Sequence, residues 1–365
     1  MKYKIFRKKK IIITGHTGFK GSWLLAWLSN LDAVILGISK DISKNNSNFK
    51  TLNKNNTNFT HKILNINDFK KLKKTIINFK PDFVFHLAAQ AIVYKSLNDP
   101  ADTWKTNVMG TMNILESLKH LKKKCSVVLI TSDKCYENLE IKKGYSETDR
   151  LGGSDPYSSS KASAEILIKS YYRSFFKNNK FIRLATARAG NVIGGGDWSP
   201  NRIIPDCVTA WKNKKFLEIR NPNSTRPWQH VLEPIRGYMD LALALHKSKK
   251  FHGESFNFGP KQNMKKKKVL DVVKEIRISW PDFKWKIKKS NNNIETNLLS
   301  LNCEKARKKL NWSLIMSSEE AIELTVQWYK DFYEKKNNLT INQIKIYEKK
   351  INSKKLKKNK NTKNN

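Results

Sequence analysis

Tyr157 and Lys161 stand four residues apart within SDPYSSSKASAE, a spacing that puts both side chains on one face of a helix. A phenol titrates near ~10, and an ammonium beside it favours the phenolate. A tyrosine so placed can take a proton from a hydroxyl while a second agent removes the hydrogen on the same carbon. YxxxK arises often by chance, so its weight depends on what the rest of the chain supplies.

Gly15, Gly18 and Gly21 supply the partner motif, GxxGxxG within TGHTGFKG. The motif directly follows the apolar run Ile11–Ile13 and directly precedes an apolar helical stretch, Trp23 to Leu31. A dinucleotide needs this arrangement: a tight turn, close approach of backbone to the pyrophosphate, and helix amides aimed at its charge. A plain strand-to-helix turn is the alternative reading. Asp41, after the second strand, is a candidate acceptor for the adenosine ribose hydroxyl, which favours NAD over NADP. Lys40 beside it could instead tolerate a 2′-phosphate, and Asp32 falls in the connection before that strand. An oxidised nicotinamide near Tyr157 would add a second positive charge favouring the phenolate.

The elements that must position these residues are legible as apolar runs. Strands are expected at Ile11–Thr14, Ala33–Ile38, Phe83–Leu87, Ser126–Thr131 and Phe181–Ala187. Helices are expected at Asp68–Phe79, Ala101–His120 and from Pro156 to about Phe176, the last capped by Asp155. Short buried strands alternating with helices predict an α/β chain with a doubly wound parallel sheet. After the Gly-rich segment 190–196 the alternation changes, with helices expected at Val269–Ile278 and Ser318–Phe332. The predicted division is a nucleotide-binding Rossmann domain over 1–190, with segments near 228–260 returning to it, and a smaller α/β substrate domain over 191–344. Residues 345–365 hold nine Lys and one Glu, which predicts a basic, disordered tail.

The 365 residues carry a formal net charge of +40. That charge would suit nucleic acid or an anionic membrane, yet it comes from 60 Lys and only 11 Arg, accompanied by 38 Asn. Phosphate and base recognition uses the planar Arg fork at least as readily, so the excess reads as a solvated surface written in AT-rich codons. No nucleic-acid or membrane partner is expected. Four cysteines at 125, 135, 207 and 303 are too dispersed for a zinc site and read as reduced thiols. His16 and His86 lack companions at ligand spacing, so no metal is expected. The basic N-terminus has too short an apolar run for an export signal, which predicts a cytoplasmic protein.

Four long segments extend the pattern: TSDKCYEN (131–138), LGGSDPYSSSKASAE (151–165), ATARAGNVIGGGDW (185–198) and TRPWQHVLEP (225–234). With a glycine turn about 140 residues before YxxxK, the chain resembles the extended short-chain dehydrogenase/reductase group. Within that group the four segments, in this order, resemble the CDP-glucose 4,6-dehydratase family. The likeness runs from about Ile11 to Tyr347. It implies a lyase that converts CDP-glucose to CDP-4-dehydro-6-deoxy-glucose on tightly held NAD, for deoxysugars of surface polysaccharides.

The resemblance also implies roles. Ser132 would hydrogen-bond the substrate, Tyr157 and Lys161 would deprotonate its 4-hydroxyl, and a protonated Asp133 would be the acid for elimination. Where most 4,6-dehydratases of the group have Glu as base, this chain has Lys134. Lys134 is either that base, or the group positioning it, or a partner for Asp133. Thr17 and Phe19 within the glycine turn, Asn65 with Ile66, and Ala88 with Ala89 would join the glycines and Asp41 at the cofactor. Relatives usually have Asp where Asn65 stands, but its amide oxygen still offers an acceptor for the adenine amino group. Arg226, then Arg202, and Asn191 would hold the substrate pyrophosphate. For Trp228 and His230 a loop-anchoring role stands beside a substrate role. The run Lys265–Lys268 is expected in a solvent loop. A homodimer or dimer of dimers is implied. A GDP-mannose or dTDP-glucose dehydratase, or an inactive nucleotide-binding protein that binds a polyanion, remains the alternative.

Overall fold

The computed structural model describes residues 2–42, 47–53, 59–219, 221–261, 267–288 and 298–361. Seven strands form one sheet: β1 (Lys10–Thr14), β2 (Val34–Ser39), β3 (Phe59–Ile63), β4 (Phe83–His86), β5 (Cys125–Ile130), β6 (Ile182–Ala189) and β7 (Ser255–Phe258). Their order is 3-2-1-4-5-6-7, and every pair is parallel. Reversal of direction on either side of β1 makes a crevice at the carboxyl ends of the strands, where doubly wound folds bind ligands.

Strand period accounts for two cores. Ile11 and Ile13 face one side with Trp23 and Trp27, while Ile12 faces the other with Leu72 and Ile114. Helices α1 (Phe19–Asn30), α2 (Phe69–Phe79), α3 (Gly110–Lys119) and α4 (Pro156–Tyr171) connect the strands. The helix expected over Ala101–His120 is built as Pro100–Trp104, a five-residue π turn at Lys105–Met109, and α3. Helix α4 begins as its sequence dictates: Pro156 occupies the first turn and Asp155 accepts from Ser158 N and Oγ.

Strand β3 and the N-terminal turn were not read from sequence. Strand β3, FTHKI, is an edge strand with Lys62 and Ile63 exposed, so it lacks a buried apolar run. The N-terminal 3₁₀ turn Lys2–Phe6 buries Tyr3 and Phe6, and Tyr3 OH donates to Asp240 at 2.8 Å.

Helix α5 (Leu232–Lys247) packs under β5 and β6, and β7 extends the sheet beyond β6. Helix α6 (Ser318–Glu334) opens with a reciprocal box in which Ser317 and Glu320 bond each other's amides. The disordered tail expected from residue 345 is corrected by α7 (Thr340–Asn361). Tyr347 is fully buried against Trp27, donates to Glu233 and accepts from Arg236 Nε, and Ile351 is buried too. The tail's lysine content hid these anchors, because composition averages over residues that alternate between core and solvent. Residues 362–365 lie outside the described residues, as do Lys265 and Lys266. Lys267 and Lys268 pair with Thr225–Arg226, and Lys267 bridges Glu275 and Glu319 rather than lying in a free loop.

Among the described residues no helix is long and apolar enough to cross a membrane.

Candidate functional site

The site begins where β5 ends. Thr131 and Ser132 continue the strand direction, and Asp133–Cys135 turn it as one 3₁₀ turn capped by Ser132 Oγ, which accepts from Lys134 N at 3.3 Å. Ser132 Oγ donates to Asp133 Oδ1 at 2.9 Å, and the Tyr157 phenol, which projects from the second position of α4, lines the same cleft. A Cβ at residue 190 would lie 2.9 Å from Asp133 Oδ2, so only glycine lets the backbone cover that carboxyl. Lys161 follows one turn down the same face of α4, and it and Tyr157 are 6% and 7% exposed.

Burial dominates the electrostatics. It raises the Asp133 carboxyl above its ordinary range, against the opposing charges of Lys134 and Lys20, which suits a proton donor. It pushes the Tyr157 phenol up to about 12, a rise that Ser132 and Arg202 ease and that Asp133 reinforces. The phenol drawn toward neutrality by Lys161 is therefore not what the ligand-free site holds. Lys161 is itself pressed down to about 8, first by burial and then by Lys20.

Directly behind this cluster lies a second one. Glu165, one turn beyond Lys161, accepts from Arg188 Nε at 2.8 Å and Nη2 at 2.9 Å, from Thr131 Oγ1 at 2.6 Å and from Thr186 Oγ1 at 3.1 Å. The network ties α4 to the ends of β5 and β6 and fixes the strand end from which Ser132 projects.

The dinucleotide side is shaped by crowding. Gly15 has φ +75°, and a Cβ there would lie 2.7 Å from Ala88 N. A Cβ on Gly21 would lie 2.1 Å from Gly15 O. These glycines bring bare backbone to the cavity wall, the cradle a pyrophosphate requires. Thr17 Oγ1 donates to Asp41 O at 3.2 Å, fastening the end of β2 to the glycine turn. Asn65 Oδ1 accepts from Asn67 N at 3.0 Å, which leaves one lone pair for a ligand, and Ile66 is buried beside it. Ala88 N donates to Thr14 Oγ1 at 3.2 Å. His86 bonds Thr14 at 2.7 Å and Thr111 at 3.1 Å, and His16 bonds His61 at 2.7 Å, so both are built into hydrogen bonds. Among the described residues no three His, Cys, Asp or Glu side chains cluster as metal ligands.

On the far side, Arg202 Nη1 donates to the buried Asp197 at 2.8 Å, an orientation that keeps its charge near Tyr157. Arg226 donates from Nη1 to Thr225 O at 3.0 Å. Trp228 and His230 are buried, and Trp23 packs edge-on against His230, as a loop anchor requires. One cleft of about 1730 Å³ reaches from Gly15, Thr17, Gly18, Phe19, Gly21 and Asp41 past Asn65, Ile66, Ala88 and Ala89. It continues to Ser132, Asp133, Lys134, Tyr157 and Lys161, and then to Asn191, Arg202 and Arg226. A single small-molecule site fills ~300–1,000 Å³, so this volume accommodates a dinucleotide and a second ligand side by side. Sequence reasoning missed Lys20 and Asp197, which line the same cleft. It passed over Lys20 because glycines, not the residue between them, define the motif.

A sheet of this order with a glycine turn at its switch point and a Ser-Tyr-Lys set at the neighbouring strand end defines a nucleotide-binding α/β protein. The comparisons with known proteins carry this further. Residues 12–325 match the family described as GDP-mannose 4,6 dehydratase, and the chain belongs to that family. It is 41% identical over 326 residues to a CDP-glucose 4,6-dehydratase of Salmonella typhimurium, spanning 88% of this chain and 90% of that one. Among solved structures, the fold is similar to UDP-glucuronic acid 4-epimerase from Bacillus cereus in complex with UDP-glucuronic acid and NAD. The TM-score is 0.75 at 26% identity, covering 89% of this chain and all of that one. A dTDP-glucose 4,6-dehydratase from Bacillus anthracis in complex with NAD has the same fold, with TM-score 0.73 at 24% identity over 89% and 98% of the two chains.

Proposed function

We propose that the protein is an NAD-dependent CDP-glucose 4,6-dehydratase, a hydro-lyase making CDP-4-dehydro-6-deoxy-glucose. The observation that carries the reading is the buried set at the end of β5: Ser132 bonded to Asp133, with Tyr157 and Lys161 buried one turn apart on α4 and lining the same cleft. The resemblance to the Salmonella enzyme supports the nucleotide choice.

NAD, when bound, supplies the oxidised nicotinamide that accepts hydrogen from C4 and later returns it to C6, so the reaction has no net redox change. The protein's own groups handle the protons. Ser132 orients the 4-hydroxyl, and Tyr157 takes its proton as C4 becomes a ketone. Since burial above all holds the phenol near 12, Tyr157 becomes a base only where added positive charge faces it. The 4-ketone acidifies the C5 hydrogen. Lys134, which lines the cleft beside Asp133, takes that proton or places the water that does. Asp133, whose burial favours the protonated form, gives its proton to the C6 hydroxyl, which leaves as water while C5 and C6 become double-bonded. Arg226, Arg202 and Asn191 hold the pyrophosphate, and Gly15, Gly18, Gly21, Asp41 and Asn65 hold the dinucleotide. The division into a dinucleotide domain, with β7 and α5 returning to it, and a substrate domain follows the two ends of the cleft.

The helical run 100–119 and α4 pack together and leave Trp104, Met109, Ile166 and Phe175 exposed. These side chains support pairing of two copies through this face, as a homodimer, within the cytoplasm.

Separate incubations with CDP-glucose, dTDP-glucose, GDP-mannose and UDP-glucose test the reading through the base-induced absorbance of the 4-ketone. Signal with CDP-glucose alone is expected, and signal confined to another nucleotide would overturn the choice. Loss of C5 deuterium to solvent should fall sharply in Lys134→Ala; near-normal loss would remove Lys134 from the base step.

A further inference from the structure

The segment GGGDW, residues 194–198, is fastened from two sides. From α1, Trp23 Nε1 donates to Gly195 O at 2.8 Å. Asn48, whose Nδ2 donates to Ser22 Oγ of α1 at 3.1 Å, presses so closely on Gly196 that a Cβ there would lie 2.5 Å from its own Cβ. From α6, the Trp328 ring lies flush beneath Gly195, and Tyr329 OH donates to Asp197 O. Trp198 packs against Trp328, Tyr329 and Phe332 and donates from Nε1 to Tyr333 OH at 3.0 Å. The backbone of Asp197 is thereby held on a rigid aromatic base.

The Asp197 side chain is 6% exposed, and each of its oxygens is engaged: Oδ1 accepts from Ser199 N at 3.0 Å, and Oδ2 from Arg202 Nη1 at 2.8 Å. An asparagine would close the turn onto Ser199 as well, without burying a charge. What the carboxylate adds is a charge-assisted bond to Arg202. Arg202 is 40% exposed and lies on the cleft wall, and this bond uses one of its five N–H donors. The rest of the guanidinium fork is left to the cleft.

Resting on the dehydratase reading, in which Arg202 helps to hold the substrate pyrophosphate, we propose that Asp197 is a positioning residue for the nucleoside diphosphate, fixing the Arg202 guanidinium so that phosphate meets a fork already aimed. Two effects of Asp197 oppose each other. Its negative charge weakens the attraction of Arg202 for an anion, but water beside the part-exposed guanidinium screens that loss. The ion pair also removes beforehand the rotamer freedom that a long arginine would otherwise lose on binding, and solvent does not screen that gain. Positioning therefore outweighs repulsion. The sign of the effect follows: removing the carboxylate makes the site more positive and yet weakens its hold on an anion.

Calorimetric titration of the full-length, NAD-saturated protein tests this. CDP, UDP, dTDP and GDP are compared first, and the tightest binder serves throughout. Asp197→Asn should weaken it about 10-fold, and Arg202→Met at least as much. The double variant should bind no more weakly than Arg202→Met alone, because Asp197 acts only through the guanidinium. Tyr329→Phe, which releases Asp197 O and leaves the ion pair in place, should weaken binding about 3-fold, and only where Arg202 is present. Unchanged or tighter binding by Asp197→Asn overturns the proposal, as do losses that add in the double variant. Should Asp197→Asn fail to fold, Tyr329→Phe with and without Arg202→Met gives the same decision. A tightest binder other than CDP counts against the nucleotide choice instead, and the cycle still decides the Asp197 link. Binding of none of the four would overturn both.

Discussion

Helix α4 carries two buried ionisable side chains one turn apart, Lys161 and Glu165, and they live in opposite circumstances. Glu165 has a guanidinium and three hydroxyls within hydrogen-bond distance, so its charge is fully met. Burial alone would raise its carboxyl, but Arg188 with the Thr131 and Thr186 hydroxyls outweighs burial and holds it below the ordinary carboxylate range. Lys161 lines the cleft without an ion-pair partner among the described residues, and burial, then Lys20, presses its ammonium down to about 8. The satisfied cluster braces the ends of β5 and β6. The frustrated one faces the cleft, where a ligand can supply what is missing. The contrast separates groups kept for the fold from groups kept for chemistry.

The largest effect should come from breaking the frustrated side. Tyr157→Phe removes the proton acceptor and should cut turnover by roughly 10²–10⁴-fold without changing the melting transition, as steady-state rates and circular dichroism would show. A melting loss of the same size as the rate loss would mean that the phenol serves the fold.

Next comes the satisfied side. Arg188→Met leaves Glu165 buried without its cation and should cost about 3–5 kcal/mol in urea unfolding. The pH dependence has a definite sign. Because the folded carboxyl lies below its unfolded value, its contribution is present above pH ~4.5 and is lost as pH falls below that. Glu165→Gln should therefore flatten the acid side of a stability profile.

Lys161 predicts the reverse. Its folded value of about 8 lies below the unfolded 10.5, so the folded state binds fewer protons and stability rises with pH across that window. Lys161→Met should stabilise the protein at pH 7 by up to about 3 kcal/mol while abolishing activity, with the difference narrowing as pH climbs. A destabilised variant would show that Lys161 has structural partners after all. The smallest effect tests the start of their common helix: Asp155→Ala removes the cap on Ser158 and should cost about 1 kcal/mol, with a modest rate loss because Tyr157 sits in the same turn.

Much of this architecture was legible in the chain. The strands β1, β2, β4, β5 and β6 are buried runs between helix signals, and the glycine turn, TSDK and YxxxK announce the cleft residues by motif. The edge strand β3 escaped because an edge needs no buried run, and α7 escaped because Tyr347 and Ile351 are scattered among lysines.

By itself, the sequence determined which residue types must share a helix face, a tight turn and a strand end, since these follow from local spacing and steric need. Only the tertiary structure decided which charges meet. Glu165 finds Arg188, and Arg202 is held by Asp197 on the wall of the cleft that Tyr157 lines. Charge interactions depend on distance and burial through space, and neither is written in local sequence.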